Sequence, residues 1–299
     1  MEADRQRLRA AMLRSRASNG IAPAAPSASD APLLSPQLPA STEGGDELRS
    51  MLQRRLEERR AAVPRVELPP GEVVANAQGP YWRRILRYPQ DHVHGSAPLA
   101  KALRLDGERL SKLAKDPRFA SLDTSECLFF DTETTGLSGG AGTMVFNVGL
   151  GWFEDGAFVQ EQLFLRDFAE EPAMLQAVAD RIAERPVLVS YVGKSFDRHR
   201  IAARLAVCRL AAPILTDRHL DLYYAARRAF GKELPDCKLR TVEERRLGLF
   251  RDDDLPGSEA PVAYLQWIRD GRGAVDRVLE HNRLDVLSVA ALLGFLAAR

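Results

Sequence analysis

Two acidic residues, Asp131 and Glu133, follow directly after a short apolar run near the middle of the chain. The run, residues 127–130, has the length and composition of a buried strand. Side chains two residues apart in a strand lie on the same face, so the two carboxylates should project side by side. Hard divalent cations such as Mg²⁺ relieve the repulsion between neighbouring carboxylates. The pair therefore indicates a metal site or, equally well on its own, a solvated strand end with an Asp-Thr turn.

Two further acidic residues, Asp197 and Asp285, occupy positions where functional side chains are often found. Asp197 comes just after a predicted strand at residues 187–192, and open α/β sheets usually bind ligands where a strand's carboxyl end meets a helix. An acid at the start of a helix is also favoured by the helix dipole alone. Asp285 lies among apolar residues in the last predicted helix, four residues after His281, so the two share a face. A surface ion pair is the alternative interpretation of that spacing.

The elements around these acids predict an α/β domain. Apolar runs at residues 127–130, 143–153 and 158–165, separated by glycine-rich and Asp155-Gly156 turns, predict a three-stranded antiparallel meander. A fourth strand is predicted at residues 187–192. Helical periodicity follows Pro172 and recurs at 196–208, 222–230, 239–247 and 261–269, and from about residue 274 onwards. This order predicts a mixed sheet, with an antiparallel meander plus parallel strands, flanked by helices.

The first part of the chain differs in composition from this domain, which is predicted to span residues 122–299. Residues 17–46, within an arm over residues 1–70, are rich in Ala, Ser and Pro and are predicted to be disordered. An amphipathic helix is predicted near residues 47–61 of the same arm. Residues 72–121 form an accessory segment in which aromatic residues lie beside arginines. These aromatics suit base stacking or, in the interpretation we favour, cover the edge of the main domain.

The composition limits the classes of partner. Hydrophobic residues make up 45% of the chain and charged residues 28%, as in soluble globular proteins. The formal net charge is +1, so any contact with nucleic acid would depend on local basic patches. The three cysteines lack Cys-x-x-Cys spacing, which predicts reduced thiols and a cytoplasmic location. No apolar stretch suits a signal peptide or a membrane span, so no membrane partner is expected.

The four acids and their neighbours resemble the three motifs of the DEDD superfamily of 3′-5′ exonucleases. The matching residues are Asp131-Thr-Glu133, Phe196-Asp197 and His281-Asn-Arg-Leu-Asp285. More narrowly, residues 122–299 resemble the YprB ribonuclease H-like domain family. That resemblance also includes Thr143-Met-Val-Phe-Asn-Val-Gly, Gly193-Lys-Ser-Phe-Asp197, Lys238-Leu-Arg-Thr-Val-Glu243 and Glu280-His-Asn-Arg-Leu-Asp285. The fold that it implies is ribonuclease H-like.

The resemblance implies a metal-dependent nuclease in which Asp131, Glu133, Asp197 and Asp285 hold two Mg²⁺ or Mn²⁺ ions. In such sites one ion activates water and the other stabilises the leaving oxygen. The implied reaction is phosphodiester hydrolysis at single-stranded 3′ ends of RNA or DNA. The third motif of the superfamily usually carries Tyr-x-x-x-Asp or His-x-x-x-x-Asp. Here His281 takes the place of the tyrosine and is a candidate general base.

Candidate substrate contacts lie close to the motifs and are Thr134, Lys194, Lys238 and Arg240. Residues 239–249 have the pattern of a packed helix with a basic outer face, and phosphate contact by Lys238 and Arg240 is an equally open interpretation. Val192 occupies a position where the family commonly has Asn, so one polar contact to substrate is expected to be missing. The run Asp252-Asp253-Asp254, which ends at Pro256-Gly257, predicts a surface loop.

Three functions remain open on these residues. The first is a metal-dependent 3′-5′ exonuclease, which the four acids favour. The second is a nucleic-acid-binding module that keeps the fold but has little catalysis, which the altered third motif and Val192 would suit. The third is a component of a processing complex recruited through the N-terminal arm, although the sequence identifies no protein partner.

Overall fold

The computed structural model describes residues 66–89, 91–136, 142–211 and 218–299, together with Met51. Within these residues the strands are β1 (Glu72–Asn76), β2 (Gly79–Tyr88), β3 (Val93–His94), β4 (Ala97–Pro98), β5 (Cys127–Thr134), β6 (Val145–Glu154), β7 (Ala157–Phe164), β8 (Val187–Ser190) and β9 (His219–Asp221). Seven strands form one sheet in the order β1-β2-β7-β6-β5-β8-β9, and β3 pairs with β4. The predicted disordered arm and the helix near residues 47–61 lie almost wholly outside the described residues.

The sheet has the topology that the sequence pattern predicts. Strands β5, β6 and β7 pair in antiparallel fashion, β8 pairs parallel to β5, and β9 pairs parallel to β8. Nearly every residue of β5, β6 and β7 is buried. Burial of both faces is expected where helices cover both sides of a sheet. The predicted α/β class, with a meander plus parallel strands flanked by helices, is confirmed.

Helices cover the sheet through two hydrophobic clusters. The α-helices of the described chain are α1 (Ala100–Leu103), α2 (Gly107–Ala114), α3 (Glu171–Glu184), α4 (Asp197–Val207), α5 (Leu222–Phe230), α6 (Leu239–Val242), α7 (Ala260–Asp270) and α8 (Val275–Ala297). One cluster includes side chains of α3 and α7, and the other includes those of α5 and most of α8. Among the described helices, none combines the length and the apolar character needed to traverse a bilayer. The three cysteines are present as free thiols.

The accessory segment extends the sheet at its β7 edge. Strand β2 pairs antiparallel with β7, and β1 pairs antiparallel with β2. Tyr81 and Trp82 are only 8% and 5% exposed. Trp82 packs edge-on against Phe164, with the ring centroids 6.4 Å apart. These two aromatic side chains therefore cover the edge of the sheet and are not presented to solvent for base stacking.

Helix α8 lies directly against β6 because the strand has a glycine at the point of contact. A Cβ atom added at Gly149 would overlap the side chain of Asn282 and lie 2.8 Å from Val286 Cγ2. On the neighbouring strand, the Gln162 amide donates hydrogen bonds to the carbonyl oxygen of Leu279 at 2.7 Å and to Asn282 Oδ1 at 3.1 Å. The meander therefore fixes the position of α8 through both close packing and buried hydrogen bonds.

We expect Gly149→Ala to lower the free energy of unfolding by about 1–3 kcal/mol, because overpacking a tight core contact usually costs that much. Urea unfolding of both proteins measures the difference. The matched control is Gly142→Ala, since a Cβ atom there would meet nothing within 4 Å. Equal unfolding free energies for the two variants would contradict the close contact between β6 and α8.

Candidate active site

Strand β5 carries Asp131 and Glu133 within its paired length, because its ladder with β6 continues to Thr134. The two carboxyl groups lie on one face of the strand, as their spacing predicts. Asp131 is bound by Asn282, whose amide donates to Asp131 Oδ2 at 2.9 Å and to the Asp131 carbonyl oxygen at 3.2 Å. Asn282 therefore connects the first acid of the site to α8.

Asp197 is the first residue of α4 and is buried. Its Oδ1 accepts a hydrogen bond from the hydroxyl of Thr132, which lies between the two acids of β5. The backbone before α4 can approach closely because Gly193 has no side chain. A Cβ atom there would lie 2.9 Å from Asp197 Oδ2 and 2.7 Å from Ser190 Oγ. The residues from Gly193 to Asp197 thus bring the third acid to β5.

Helix α8 supplies the remaining two candidate residues, His281 and Asp285. His281 Nε2 lies 3.9 Å from Glu133 Oε1 and 3.7 Å from Asp285 Oδ2. The imidazole therefore lies between an acid of β5 and an acid of α8. All five predicted catalytic residues are brought into one site from a strand, the start of one helix and the face of another.

The electrostatics of this site are dominated by burial and by like charges. Burial raises the pKa of Asp131 well above its ordinary value, and repulsion from Asp285, Asp197 and Glu133 adds to that effect, while the Asn282 hydrogen bond opposes it. Burial, followed by repulsion from Asp285 and Asp197, likewise raises the pKa of Glu133. Burial raises the pKa of Asp197 to about 6, although hydrogen bonds to its carboxylate act in the opposite direction. Among the described residues, the hydrogen bonds and cations beside these carboxylates therefore do not offset their burial and mutual repulsion.

The donor atoms of the site suit a hard divalent cation, since Mg²⁺ and Mn²⁺ prefer carboxylate oxygens. Among the described residues, no three His, Cys, Asp or Glu side chains are already gathered as a metal-holding group. Asp285 divides its oxygens between two neighbours, because Oδ1 lies 2.6 Å from Arg251 Nη1 while Oδ2 is on the side of His281. The acids thus fit such an ion by their chemistry and by the raised pKa values.

Arg251 belongs to the site but is not indicated by the sequence pattern. Its side chain is 3% exposed and pairs with Glu243, which is fully buried, as well as with Asp285. Although burial lowers it, the pKa of Arg251 is raised overall by the negative charges of Asp285 and Glu243. A buried guanidinium needs such partners, and its five donors allow it to bind more than one carboxylate.

Asp254 is a second residue that the sequence analysis missed. Its Oδ1 lies 2.7 Å from His281 Nδ1, its Oδ2 lies 3.6 Å from Arg251 Nη1, and its side chain is 7% exposed. The run from Asp252 to Asp254 forms a loop as predicted, but the side chain of Asp254 is buried and not exposed to solvent. Asp254 directly follows two exposed aspartates, Asp252 and Asp253, so the composition of the run does not indicate that this side chain is buried.

A cavity of about 500 Å³ opens beside the acids. Its lining includes Asp131, Asp285, Tyr191, Tyr223, Val192 and Lys238. Aromatic rings next to a lysine provide stacking and phosphate contact, the two interactions that bind single-stranded nucleic acid. The cavity is thus the place where a substrate could reach the acids.

The other predicted substrate contacts have different surroundings. The Thr134 hydroxyl donates to the carbonyl oxygen of Gly136 at 3.1 Å, and this side chain is buried. Arg240 pairs with Glu244 at 3.1 Å on the outer face of α6. The Lys194 side chain is exposed, and none of these three residues lines the described cavity. Of the four candidates, the structure brings Lys238 to the cavity.

Val192, at the cavity wall, has a backbone conformation that β-branched residues rarely adopt. Its φ angle is +68°. The turn is held by Asp221, whose carboxylate accepts hydrogen bonds from the backbone N–H groups of Val192 at 2.8 Å and Lys194 at 3.2 Å. Asparagine tolerates this left-handed region far better than valine. Valine at this position thus has a cost in backbone conformation.

Comparison with known proteins finds a family model and a relative that this chain matches. Residues 128–297 match the family model described as the RNase_H superfamily, and that range contains all four acids and His281. The uncharacterized protein YprB of Bacillus subtilis (strain 168) is 34% identical over 215 residues, which are 70% of this chain and 51% of that protein. The chain therefore spans about half the length of this relative.

We expect Val192→Asn to raise the free energy of unfolding by about 1 kcal/mol, since a left-handed conformation costs a branched residue about that much. Val192 is 43% exposed, so little apolar burial is lost. The matched control is Val262→Asn on α7, where the valine is 56% exposed and the backbone is helical. A gain of the same size at both positions, measured by urea unfolding, would refute the strain at residue 192.

The raised pKa of Asp197 predicts a pH-dependent stability difference. A carboxyl whose folded pKa is about 6 instead of 3.8 favours folding in its protonated form, and this advantage is lost as pH rises from about 4 through 6. Asp197→Asn should therefore gain about 2 kcal/mol over the parent between pH 4 and pH 8. Urea unfolding in EDTA at both pH values measures this. Asp180→Asn, at an exposed acid, serves as control, and a pH-independent difference for Asp197→Asn would contradict the prediction.

Proposed function

Because the chain belongs to the RNase_H superfamily, we propose that it is a nuclease that uses divalent cations to remove nucleotides from the 3′ end of nucleic acid. The superfamily itself suggests nuclease activity; the direction of cleavage and the use of two ions are our proposal. The observation that supports it is the mutual proximity of Asp131, Glu133, Asp197 and Asp285, with His281 beside Glu133 and Asp285 and a cavity lined by Asp131 and Asp285.

The proposed metal ligands are the four carboxylates. Bound Mg²⁺ or Mn²⁺ would supply Lewis-acid stabilisation of the charge that develops on the phosphate. The chain's own contribution is to hold the ligands at fixed positions. Asn282 holds Asp131, the Thr132 hydroxyl holds Asp197, and Arg251 holds one oxygen of Asp285.

The reaction that we propose is hydrolysis of the last phosphodiester bond. The oxygen of a water molecule bonds to phosphorus, the bond between phosphorus and the 3′ oxygen breaks, and a nucleoside 5′-monophosphate leaves. The 3′ oxygen of the shortened strand takes up a proton and becomes the new 3′ hydroxyl. His281 is the candidate acceptor of the water's proton, because its Nε2 faces Glu133 and Asp285. Lys238, whose side chain is 82% exposed, is the candidate contact for the incoming phosphate backbone.

We assign this activity to residues 66–299. Strands β1 and β2 extend the sheet that carries two of the acids. The Trp267 indole also donates to the carbonyl oxygen of Val66 at 2.8 Å, so the chain contributes to the fold from Val66 onwards. The arm before Val66 is proposed to be unnecessary for cleavage of short substrates.

A second candidate function is binding of nucleic acid without hydrolysis. The observation that favours it is the 2.6 Å contact between Arg251 and Asp285, which directs part of a proposed metal ligand towards a protein cation. The two functions share the fold, the cavity and Lys238, so binding measurements alone do not separate them. Turnover with and without divalent cations does.

The test is an assay on 5′-labelled single-stranded RNA and DNA with Mg²⁺, with Mn²⁺ and with EDTA. We expect stepwise shortening from the 3′ end in either metal, none in EDTA, and no cleavage of a circular substrate. Asp131→Asn should reduce turnover by at least ~10²-fold, since several kcal/mol of transition-state stabilisation depend on such ions.

The matched control for Asp131→Asn is Asp180→Asn, which changes an exposed acid on α3 and should keep parental turnover. Undiminished turnover in Asp131→Asn would refute the metal assignment. Tight binding without cleavage in any metal would favour the second candidate function instead. Cleavage of the circular substrate would overturn the exonuclease proposal.

A further inference from the structure

The hydrogen bond between Asp254 and His281 determines which nitrogen of the imidazole carries the proton. Asp254 Oδ1 lies 2.7 Å from His281 Nδ1. An ionised carboxylate only accepts hydrogen bonds, so Nδ1 must be the donor. A neutral imidazole has a single N–H group, so Nε2 then carries no proton and is a hydrogen-bond acceptor. The contact therefore specifies one of the two tautomers of His281.

The other nitrogen points into the proposed active site. His281 Nε2 is the atom that lies 3.9 Å from Glu133 Oε1 and 3.7 Å from Asp285 Oδ2. The loop after Asp254 stays close to the same ring edge, since a Cβ atom at Gly257 would lie 3.6 Å from Nε2. The tautomer and the ring orientation set by Asp254 thus determine whether His281 Nε2 faces a substrate as an acceptor or as an N–H donor.

Asp254 is itself held in place, unlike the acids beside it. Its side chain is 7% exposed, whereas Asp252 and Asp253 are exposed. The Arg251 guanidinium lies 3.6 Å from Asp254 Oδ2 and is anchored by the fully buried Glu243. A buried pair of this kind resists rotation far more than a surface ion pair does, because its members cannot exchange their partners for water.

We propose that Asp254 is the positioning residue of His281, which it holds in the Nδ1–H tautomer with Nε2 directed at Glu133 and Asp285. Arg251 anchors Asp254 in the orientation that this requires. The inference rests on the proposed function, in which His281 Nε2 accepts the proton of the attacking water. Partners that orient metal-binding histidines typically contribute about 10- to 100-fold to affinity or activity, and we expect an effect of the same order for His281.

The first measurement needs no activity. In the full-length protein labelled with ¹⁵N-histidine, two-bond ¹H–¹⁵N spectra at pH 8 report the tautomer of each of the five histidines. The His281 signals are assigned by their loss in His281→Ala. We expect the Nδ1–H form in the parent and in Asp252→Ala, and exchange between both forms in Asp254→Ala. An Nε2–H form in the parent would overturn the proposal whatever the variants do.

The second measurement is a double-mutant cycle on a single-stranded oligonucleotide. Asp254→Ala should lower kcat about 10- to 100-fold with little change in KM. In the His281→Ala background the same substitution should have less than about a twofold effect, because its action passes through the missing ring. Asp254→Asn, whose amide can donate to Nδ1 as well as accept from it, should let the Nε2–H tautomer form and should also lower kcat. An equal loss in both backgrounds would refute a role through His281.

These outcomes separate the inference from the function on which it rests. Failure of the parent to cleave RNA or DNA in Mg²⁺ or Mn²⁺ would overturn the proposed function, while the spectra would still decide whether Asp254 sets the tautomer. If Asp254→Ala does not fold, Asp254→Asn and the parent spectrum carry the test. An unchanged Nδ1–H form with full turnover in a folded Asp254→Asn protein would count against the proposal, since the carboxylate would then not be what sets the tautomer.

Discussion

Repulsion among buried carboxyl groups is the constraint on which the rest of the structure depends. Each charge is costly in a poorly solvated site, and like charges nearby add to the cost. The chain offsets this with single contacts from different elements, because Asn282 binds Asp131, Thr132 binds Asp197 and Arg251 binds Asp285. These contacts hold the carboxylates apart without neutralising them all. A divalent cation suits the negative charge that remains uncompensated, since it binds several carboxylate oxygens at once.

The packing of α8 determines the geometry of the whole site. This one helix carries His281, Asn282 and Asp285, and its position on the meander is set by Gly149 and Gln162. Asn282 receives a hydrogen bond from β7 through its oxygen and donates to Asp131 on β5 through its nitrogen. The side chain of Asn282 thus makes both a core contact and a contact within the candidate active site. We therefore expect a change in the meander at Gln162 to alter the position of Asp131.

Local pattern was sufficient to predict the elements but not the contacts between them. Apolar runs and helical periodicity located the meander, β8 and α8, because burial of a strand or a helix face leaves a repeating signal. The spacing of Asp131 and Glu133 placed them on one face for the same reason. Arg251 and Asp254 left no such signal, since Asp285 and His281, which connect them to the site, are distant in sequence and their loop resembles a solvated one. The left-handed conformation of Val192 was hidden because valine is the residue type that argues against it.

Arg251 and a divalent cation need not compete for Asp285. The guanidinium has two further carboxylate neighbours, Glu243 and Asp254, so it remains paired while Asp285 turns one oxygen elsewhere. Arg251 contacts Oδ1 of Asp285, whereas Oδ2 lies on the side of His281. One carboxylate can therefore bind a protein cation through one oxygen and a metal ion through the other. This division would hold Asp285 in place while leaving Oδ2 for the proposed metal ion, so the contact with Arg251 is compatible with the proposed catalysis.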